Sequence, residues 1–183
     1  MDAAQPTYDE QTKHWNATAG CAWVDAQELL DQMFKRLEDL LVDAVAAGSR
    51  VLDVGCGTGG TTLAVARRLA PEGHSVGADV SEPMIAAARA RAEREGAPAS
   101  FIVADVQTHQ FERASFDAII SRFGVMFFND PVQAFANMRR AATDDAALHA
   151  IVWRSAAENP FMTTAGCAAA PLLPNLPARP SGL

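Results

Sequence analysis

Val51-Leu52-Asp53-Val54-Gly55-Cys56-Gly57-Thr58-Gly59-Gly60 is the stretch on which the reading of this chain turns. Val51, Leu52 and Val54 predict a short strand able to pack on both faces, a run of small residues breaks it, and Thr61 to Ala70 has the composition of a helix. Strand, glycine turn and helix N-terminus together make a loop whose backbone N–H groups point outward and which a ligand can approach closely. Loops of this kind serve several classes of nucleotide-binding protein, so the discriminating residue is Asp53. An acid two residues before the first glycine suits a ligand with a positive charge or an ammonium group, and repels a pyrophosphate on the same turn.

Working outward, the upstream segment places Leu29, Leu30, Met33, Phe34, Leu37, Leu40, Leu41 and Val45 at helical spacing with charged residues between, which predicts one amphipathic helix ending near Gly48. Trp15 and Trp23, eight residues apart, share a face if the segment before it is helical. Downstream, Ser75–Asp79, Ser100–Ala104, Phe116–Ile120 and Ala147–Trp153 read as strands two to five. Between them, Ser81 is the expected N-cap of a helix burying Met84, Ile85, Ala88 and Ala92 and stopping at Gly96. Asp130-Pro131 caps another helix, whose Val132, Phe135 and Met138 are expected to face inward. Strands alternating with helices imply βαβ units and a parallel sheet. Asp53, Asp79 and Asp105 then fall at or near the carboxyl ends of three consecutive strands, where ligands bind in open α/β sheets.

Length and composition narrow the classes. A chain of 183 residues, 49% apolar and 20% charged, has the size and composition of one globular domain. A net charge of -7 argues against a nucleic-acid surface, and Arg89, Arg91 and Arg94 alternate with Glu93 and Glu95 as on a solvated helix face. Cys21, Cys56 and Cys167 form no CxxC pair and suggest reduced thiols and a cytoplasmic setting. No apolar run reaches membrane-spanning length and no leader pattern opens the chain, so neither membrane nor secretion is expected. His14, His74, His109 and His149 have no metal-ligand spacing, no metal is expected, and only His14 is worth testing as a base.

The DxGxGxG pattern of Asp53 to Gly59 resembles motif I of the class I S-adenosylmethionine-dependent methyltransferases, and the resemblance runs from about Tyr8 to Pro160. Ser121-Arg122-Phe123-Gly124-Val125-Met126-Phe127-Phe128-Asn129-Asp130-Pro131 resembles the loop walling the transfer site in the small-molecule group related to ubiquinone and menaquinone biosynthesis. The resemblance implies S-adenosyl-L-methionine as cofactor and a site assembled from several loops. Tyr8 and Trp15 would close it from above, and Asp53, Gly55, Cys56, Gly57, Thr58 and Gly59 would hold the methionine end. Asp79, Val80 and Met84 would take the ribose and one face of the adenine, Ala104, Asp105 and Val106 the adenine edge, and Ser121, Arg122 and Phe123 would lie beside the reacting end. Cys56 has a steric reason to be small, and no catalytic residue is nominated. One departure is Thr143-Asp144-Asp145 in place of the proline-glycine-glycine-like turn usual before strand five.

The expected architecture is therefore α/β: a Rossmann-like doubly wound parallel sheet in order 3-2-1-4-5, with residues 1–48 as an N-terminal helical cap and 49–160 as the cofactor-binding core. Residues 161–183 would add a partial lid, with Phe161 to Ala170 able to form a helix, and a tail whose four prolines exclude a central strand. Strands six and seven of the family are expected to be missing, leaving strand five as an edge through which copies could associate. The expected reaction is methyl transfer to an O, N or C nucleophile of a small, apolar or aromatic acceptor. The alternatives are a truncated chain that binds the cofactor without turnover, and an NAD(P)-dependent oxidoreductase, disfavoured by Asp53, Asp105 and the lack of a Tyr-x-x-x-Lys pair.

Overall fold

Val51, Leu52 and Val54 are fully buried, as a strand packed on both faces requires, and β1 (Arg50–Val54) is the centre of the sheet. Around it stand β2 (His74–Asp79), β3 (Ala99–Val103), β4 (Phe116–Arg122) and β5 (Ala142–Ile151), in the order β3-β2-β1-β4-β5 with every pairing parallel. The computed structural model describes residues 8–173, and the backbone alone for residues 8–10, 161 and 162. The unit that carries the sheet runs to Ile151, and Val152 opens a second unit.

Successive strand residues serve opposite layers. Val51, Ala118 and Ile120 join Leu41, Val45, Val65 and Leu69 on one face, while Leu52, Val54 and Ile119 join Phe111, Phe116, Met138 and Ala141 on the other. The first layer contains α4 (Lys35–Ala44) and α5 (Gly60–Leu69), and α6 (Glu82–Glu95) contributes Ile85, Ala88 and Ala92 to a third cluster with Leu63 and Phe101. The opposite layer is α7 (Pro131–Ala141) and the helix-free connection between β3 and β4, where Phe111 replaces a helix face. Each fully buried Leu or Ile here stabilises the fold by roughly 1.5–3 kcal/mol.

Several local expectations are corrected. The upstream amphipathic segment is two helices, α3 (Gln27–Met33) and α4, broken at Phe34, following α1 (Tyr8–Asn16) and α2 (Thr18–Asp25). The break lets Phe34, Leu41 and Val45 be buried with Glu38, while Leu29, Met33 and Leu40 of the expected stripe are exposed. The Glu38 carboxylate is balanced by Lys35 at 3.1 Å. In α7 the inward face is Ala134, Met138 and Ala141, leaving Val132 79% and Phe135 41% exposed. Small residues allow close approach to the sheet, and Met138 is the large buried side chain of that face. Strand β5 starts five residues earlier than the apolar run suggested, directly after α7, and a register shift between Phe116 and Ala118 absorbs the extra residues. It ends at Ile151, before Trp153.

Met84, Ile85, Ala88 and Ala92 are buried as expected, Gly96 closes α6 in the left-handed conformation, and the Asp130 carboxylate accepts from Gln133 N at 2.9 Å to cap α7. Among the described residues no strand follows β5, so it forms a sheet edge. In the second unit, Arg154 and Ser155 pair with Glu158 in a short turn, and α8 (Pro160–Ala169) matches the helix expected there. The proline-rich tail from Pro174 lies outside the described residues.

Candidate functional site

The carboxyl end of β1 opens into a tight loop because Gly55, Gly57 and Gly59 all take positive φ, at 68°, 54° and 82°. Gly55 N and Cys56 N donate to Ala78 O at 2.8 and 3.2 Å, which fastens the loop to β2, and α5 begins at once at Gly60. A Cβ on Gly55 would lie 2.5 Å from Gly124 Cα, so two glycines permit the loops after β1 and β4 to touch. A cleft forms above this loop, lined from the ends of β1 to β4 and from the N-terminal helices.

Each of the three acids lines the cleft, and each also has a protein partner. Asp53 is 1% exposed and accepts from Thr62 Oγ1 at 2.7 Å. Burial pushes its carboxyl up to about 6, against the Thr62 hydrogen bond and the positive charge of Arg122. Asp79 accepts from Gly57 N at 2.8 Å through one oxygen and from Ser81 N at 2.9 Å through the other. It thereby ties the glycine loop to the β2–α6 turn. Burial raises its pKa too, opposed by the backbone donors of Ser81, Gly57 and Val80. Asp105 builds a turn, accepting from Gln107 N at 2.9 Å, while Gln107 Oε1 accepts from Asp130 N at 2.7 Å.

The N-terminal helices roof the cleft. Asn16 donates to Val80 O at 2.9 Å and accepts from Glu82 N at 2.8 Å, so Asn16, and not Ser81, satisfies the first turn of α6. Ser81 stands at the N-cap position but spends its hydroxyl on Trp15 O at 2.6 Å. These bonds hold Trp15 edge-on to Trp23 and Phe127, with ring centroids 6.1 and 5.3 Å apart. Arg91 is no solvated charge. Its side chain is 12% exposed, pairs with Asp31 at 2.8 Å and donates to Thr58 O at 3.1 Å, fixing α3 and the glycine loop to α6. Arg89 likewise donates to Phe101 O, at 3.1 and 2.7 Å.

Most of the residues singled out from the sequence meet at this cleft: Trp15, Asp53, Gly55, Cys56, Gly57, Thr58, Asp79, Val80, Met84, Ala104, Asp105, Val106, Arg122 and Phe123 line it. Gly59 and Ser121 lie behind it. Gly59 backs onto the Phe101 ring, and Ser121 donates to Val54 O at 2.7 Å and accepts from Val125 N at 3.2 Å. The Tyr8 side chain lies outside the described residues. Phe127 and Phe128 line the cleft, whereas Met126 is 38% exposed and does not. Phe123 takes a left-handed φ of 71°, an uncommon conformation for an aromatic residue, beneath that wall. Cys56 is buried and its thiol is held well above its ordinary pKa by burial and the nearby Asp79 and Asp53, so it is a space-filling group. His14 is exposed and is not among the lining residues.

Lining residues not singled out as site residues from the sequence are Gln11, Thr12, Trp23, Thr61, Ala78, Gln107, Gly124 and Asn129, besides Val54. Gly124 carried the clearest signal, a glycine two residues after β4, whose neighbour β1 is also followed by a glycine, Gly55. Arg122 is the one cationic side chain among the described lining residues. Its guanidinium carbon sits 5.6 Å from the Phe34 ring centroid, and its buried Nη1 has no hydrogen-bond partner among the described residues.

A glycine loop and helix N-terminus at the end of the central strand of an open parallel sheet define a Rossmann-like, cofactor-binding class of fold. A family model described as a methyltransferase domain matches residues 51–145, just over half of the chain, and the chain belongs to that family. It is 34% identical over 110 residues to aklanonic acid methyltransferase DauC of Streptomyces sp. (strain C5), covering 60% of this chain and 49% of the relative. To the demethylmenaquinone methyltransferase of Thermus thermophilus it is 37% identical over 106 residues, covering 58% of this chain and 47% of the relative. The chain thus spans about half the length of the curated relatives it matches. A crystal structure of a SAM dependent methyltransferase from Aquifex aeolicus shares the fold, with a TM-score of 0.59, 18% identity, and coverage of 95% of this chain and 90% of that one.

Proposed function

We propose that the cleft binds S-adenosylmethionine and that the chain directs methyl transfer to an O, N or C nucleophile of a small molecule. The observation that carries this reading is the position of Asp79. Its two oxygens accept from Gly57 N and Ser81 N, with the Val80 N–H as a further backbone donor, and the remaining lone pairs leave acceptor capacity on a fixed carboxylate lining the cleft. A pair of ribose hydroxyls suits that geometry. The other residues fit the same ligand: the loop of Gly55 to Thr58 for the amino-acid end, Met84 and Val80 for the flat base, Asp105 and Val106 for its polar edge. A cleft with three carboxylates and one guanidinium also complements a ligand of net positive charge.

When bound, the cofactor supplies a methyl group already activated on a sulfonium. The chain's own part is then to orient and to exclude water. Trp15, Trp23, Phe127 and Phe128 form an aromatic wall suited to that task, and the same wall favours a small apolar or aromatic acceptor. The relatives' names point the same way, to aklanonic acid and to demethylmenaquinone. An acidic chain, net charge -7, does not favour nucleic acid as acceptor. Among the described residues no helix is long and apolar enough to cross a membrane, and the free thiols Cys21, Cys56 and Cys167 suit a reducing, cytoplasmic setting. Self-association through the β5 edge, where Leu148 is 46% exposed, is part of the same proposal.

The test is transfer of an isotopically labelled methyl group from S-adenosylmethionine to a panel of phenols, hydroquinones and enolisable acids, with RNA and protein as counter-substrates. Label in a small acceptor supports the reading. Label found only in RNA or protein refutes the acceptor class, and cofactor binding with no transfer to any acceptor favours a chain that binds without turnover.

A further inference from the structure

Arg91 of α6 and Asp31 of α3 lie outside the cleft lining, yet they join its roof to the glycine loop beneath. The Arg91 guanidinium pairs with Asp31 Oδ2 through Nη2 at 2.8 Å and donates from Nη1 to Thr58 O at 3.1 Å, so one planar group holds α3 and the loop at once. Glu95, 4.0 Å from the Arg91 Nε, is spent on Arg67, which leaves Asp31 as the close carboxylate. Thr58 is 4% exposed and stands between Gly57 and Gly59, both at positive φ, so neither neighbour has a side chain to hold the direction of its peptide. Asp31 has a second tie through its other oxygen. A Cβ on Gly60 would lie 2.7 Å from Asp31 Oδ1, which puts the carboxylate at the N-terminus of α5, where Gly59 supplies no side-chain cap and negative charge is favoured. The bonds of Asn16 and Ser81 anchor α1, and the Arg91–Asp31 pair anchors α3. Trp15 and Trp23, on α1 and α2, line the cleft, and α3 is the segment that joins them to α4, whose Leu41 and Val45 are fixed in the core.

We propose that Arg91 is a positioning residue for the cofactor: by making α3 and the glycine loop one body, it slows the release of a ligand that it does not touch. The inference rests on the cofactor reading above and adds to it the contact, outside the cleft, that sets retention. Removing either partner of a largely buried pair leaves the other unmatched and lets roof and loop move separately. An Arg91 that only stabilises the fold would lower the unfolding midpoint when replaced and leave the rates of binding as they are.

Stopped-flow fluorescence with S-adenosylhomocysteine separates the two, since Trp15 and Trp23 line the cleft and report arrival and departure. In Arg91→Met the dissociation rate constant is expected to rise about tenfold or more, the range of a charge-assisted pair, with association no slower. Asp31→Asn should raise it in the same way, and combining the two substitutions should add little, because they break one contact. Arg91→Lys, a point charge that cannot fork to both partners, should fall between. Gly60→Ala displaces Asp31 without touching Arg91 and should raise dissociation a few-fold. Urea unfolding checks that each variant is folded; should Arg91→Met not fold, Asp31→Asn and Gly60→Ala carry the test. Wild-type dissociation in folded Arg91→Met or Asp31→Asn overturns the assignment, as do slower association with unchanged dissociation and fully additive effects of the two substitutions. If the wild type binds no S-adenosylhomocysteine, the cofactor reading itself falls, and this inference with it.

Discussion

Replacing Asp53 by Asn exchanges a buried ionisable carboxyl for a neutral group of nearly the same shape, and should move stability and binding in opposite directions. Burial holds the folded-state pKa at about 6, against an ordinary 3.8. The gap is roughly two pH units, on the order of 3 kcal/mol at about 1.4 kcal/mol for each. Because the folded value lies above the unfolded one, the native chain keeps this proton longer. Its contribution is fully present below about pH 4, is lost as the pH rises through about 6, and is a standing penalty at neutral pH. Asn accepts the Thr62 hydroxyl as Asp does, so Asp53→Asn should stabilise the ligand-free chain by about 1–3 kcal/mol at pH 7.5 and by only about a third as much at pH 4.5. Affinity for S-adenosylhomocysteine should fall about tenfold or more as the counter-charge for its ammonium disappears. Urea unfolding followed by tryptophan fluorescence at the two pH values gives the first quantity and calorimetry the second. Equal destabilisation at both pH values would refute the reasoning, because it would make Asp53 a structural acceptor whose charge is harmless.

Asp79→Ala should weaken S-adenosylhomocysteine on the order of 2–3 kcal/mol, and unchanged affinity by calorimetry would remove Asp79 from the ribose. The two loop glycines should fail differently. A Cβ on Gly59 would lie 2.8 Å from the Phe101 ring, at φ +82°, so Gly59→Ala should destabilise the fold by about 2–4 kcal/mol and lower the unfolding midpoint; a wild-type melting curve would contradict this. A Cβ on Gly57 meets nothing closer than Met84 Sδ at 3.6 Å, so Gly57→Val should leave the chain folded and abolish ligand binding through backbone strain and bulk inside the cleft. Asn16→Ala removes the bonds to Val80 O and Glu82 N, and hydrogen exchange should then accelerate in α1 while α5 stays protected. Equal protection in α1 with and without the substitution would mean that the roof is held elsewhere.

The parallel sheet was legible in the sequence because short apolar runs alternate with helical segments, and its order came with the resemblance to the class I methyltransferases that Asp53 to Gly59 carries. The three acids were legible because a strand end locates a carboxylate to within about two residues. Helix faces were less so. Val132 and Phe135 fit an apolar stripe, but the closeness of α7 to the sheet is set by Ala134 and Ala141, and small residues carry little signal in a pattern of large ones. The break at Phe34 was hidden because all the residues around it favour helix, and tertiary burial of Phe34 decides the matter. Arg91 looked solvated among alternating charges. Its partners Asp31 and Thr58 lie 60 and 33 residues away, beyond any local pattern. The pairing of Gly55 with Gly124 is likewise a contact between two loops distant in sequence.

The measurement that bears most directly on the proposed function is calorimetric titration of the wild-type chain with S-adenosylhomocysteine, run beside NAD and NADP. The carboxylate-rich cleft around the glycine loop predicts saturable one-to-one binding of S-adenosylhomocysteine, tightening as the pH rises from 5 to 7 and Asp53 gives up its proton, with no heat from either dinucleotide. Saturable binding of NAD or NADP in the absence of any binding by S-adenosylhomocysteine would contradict it.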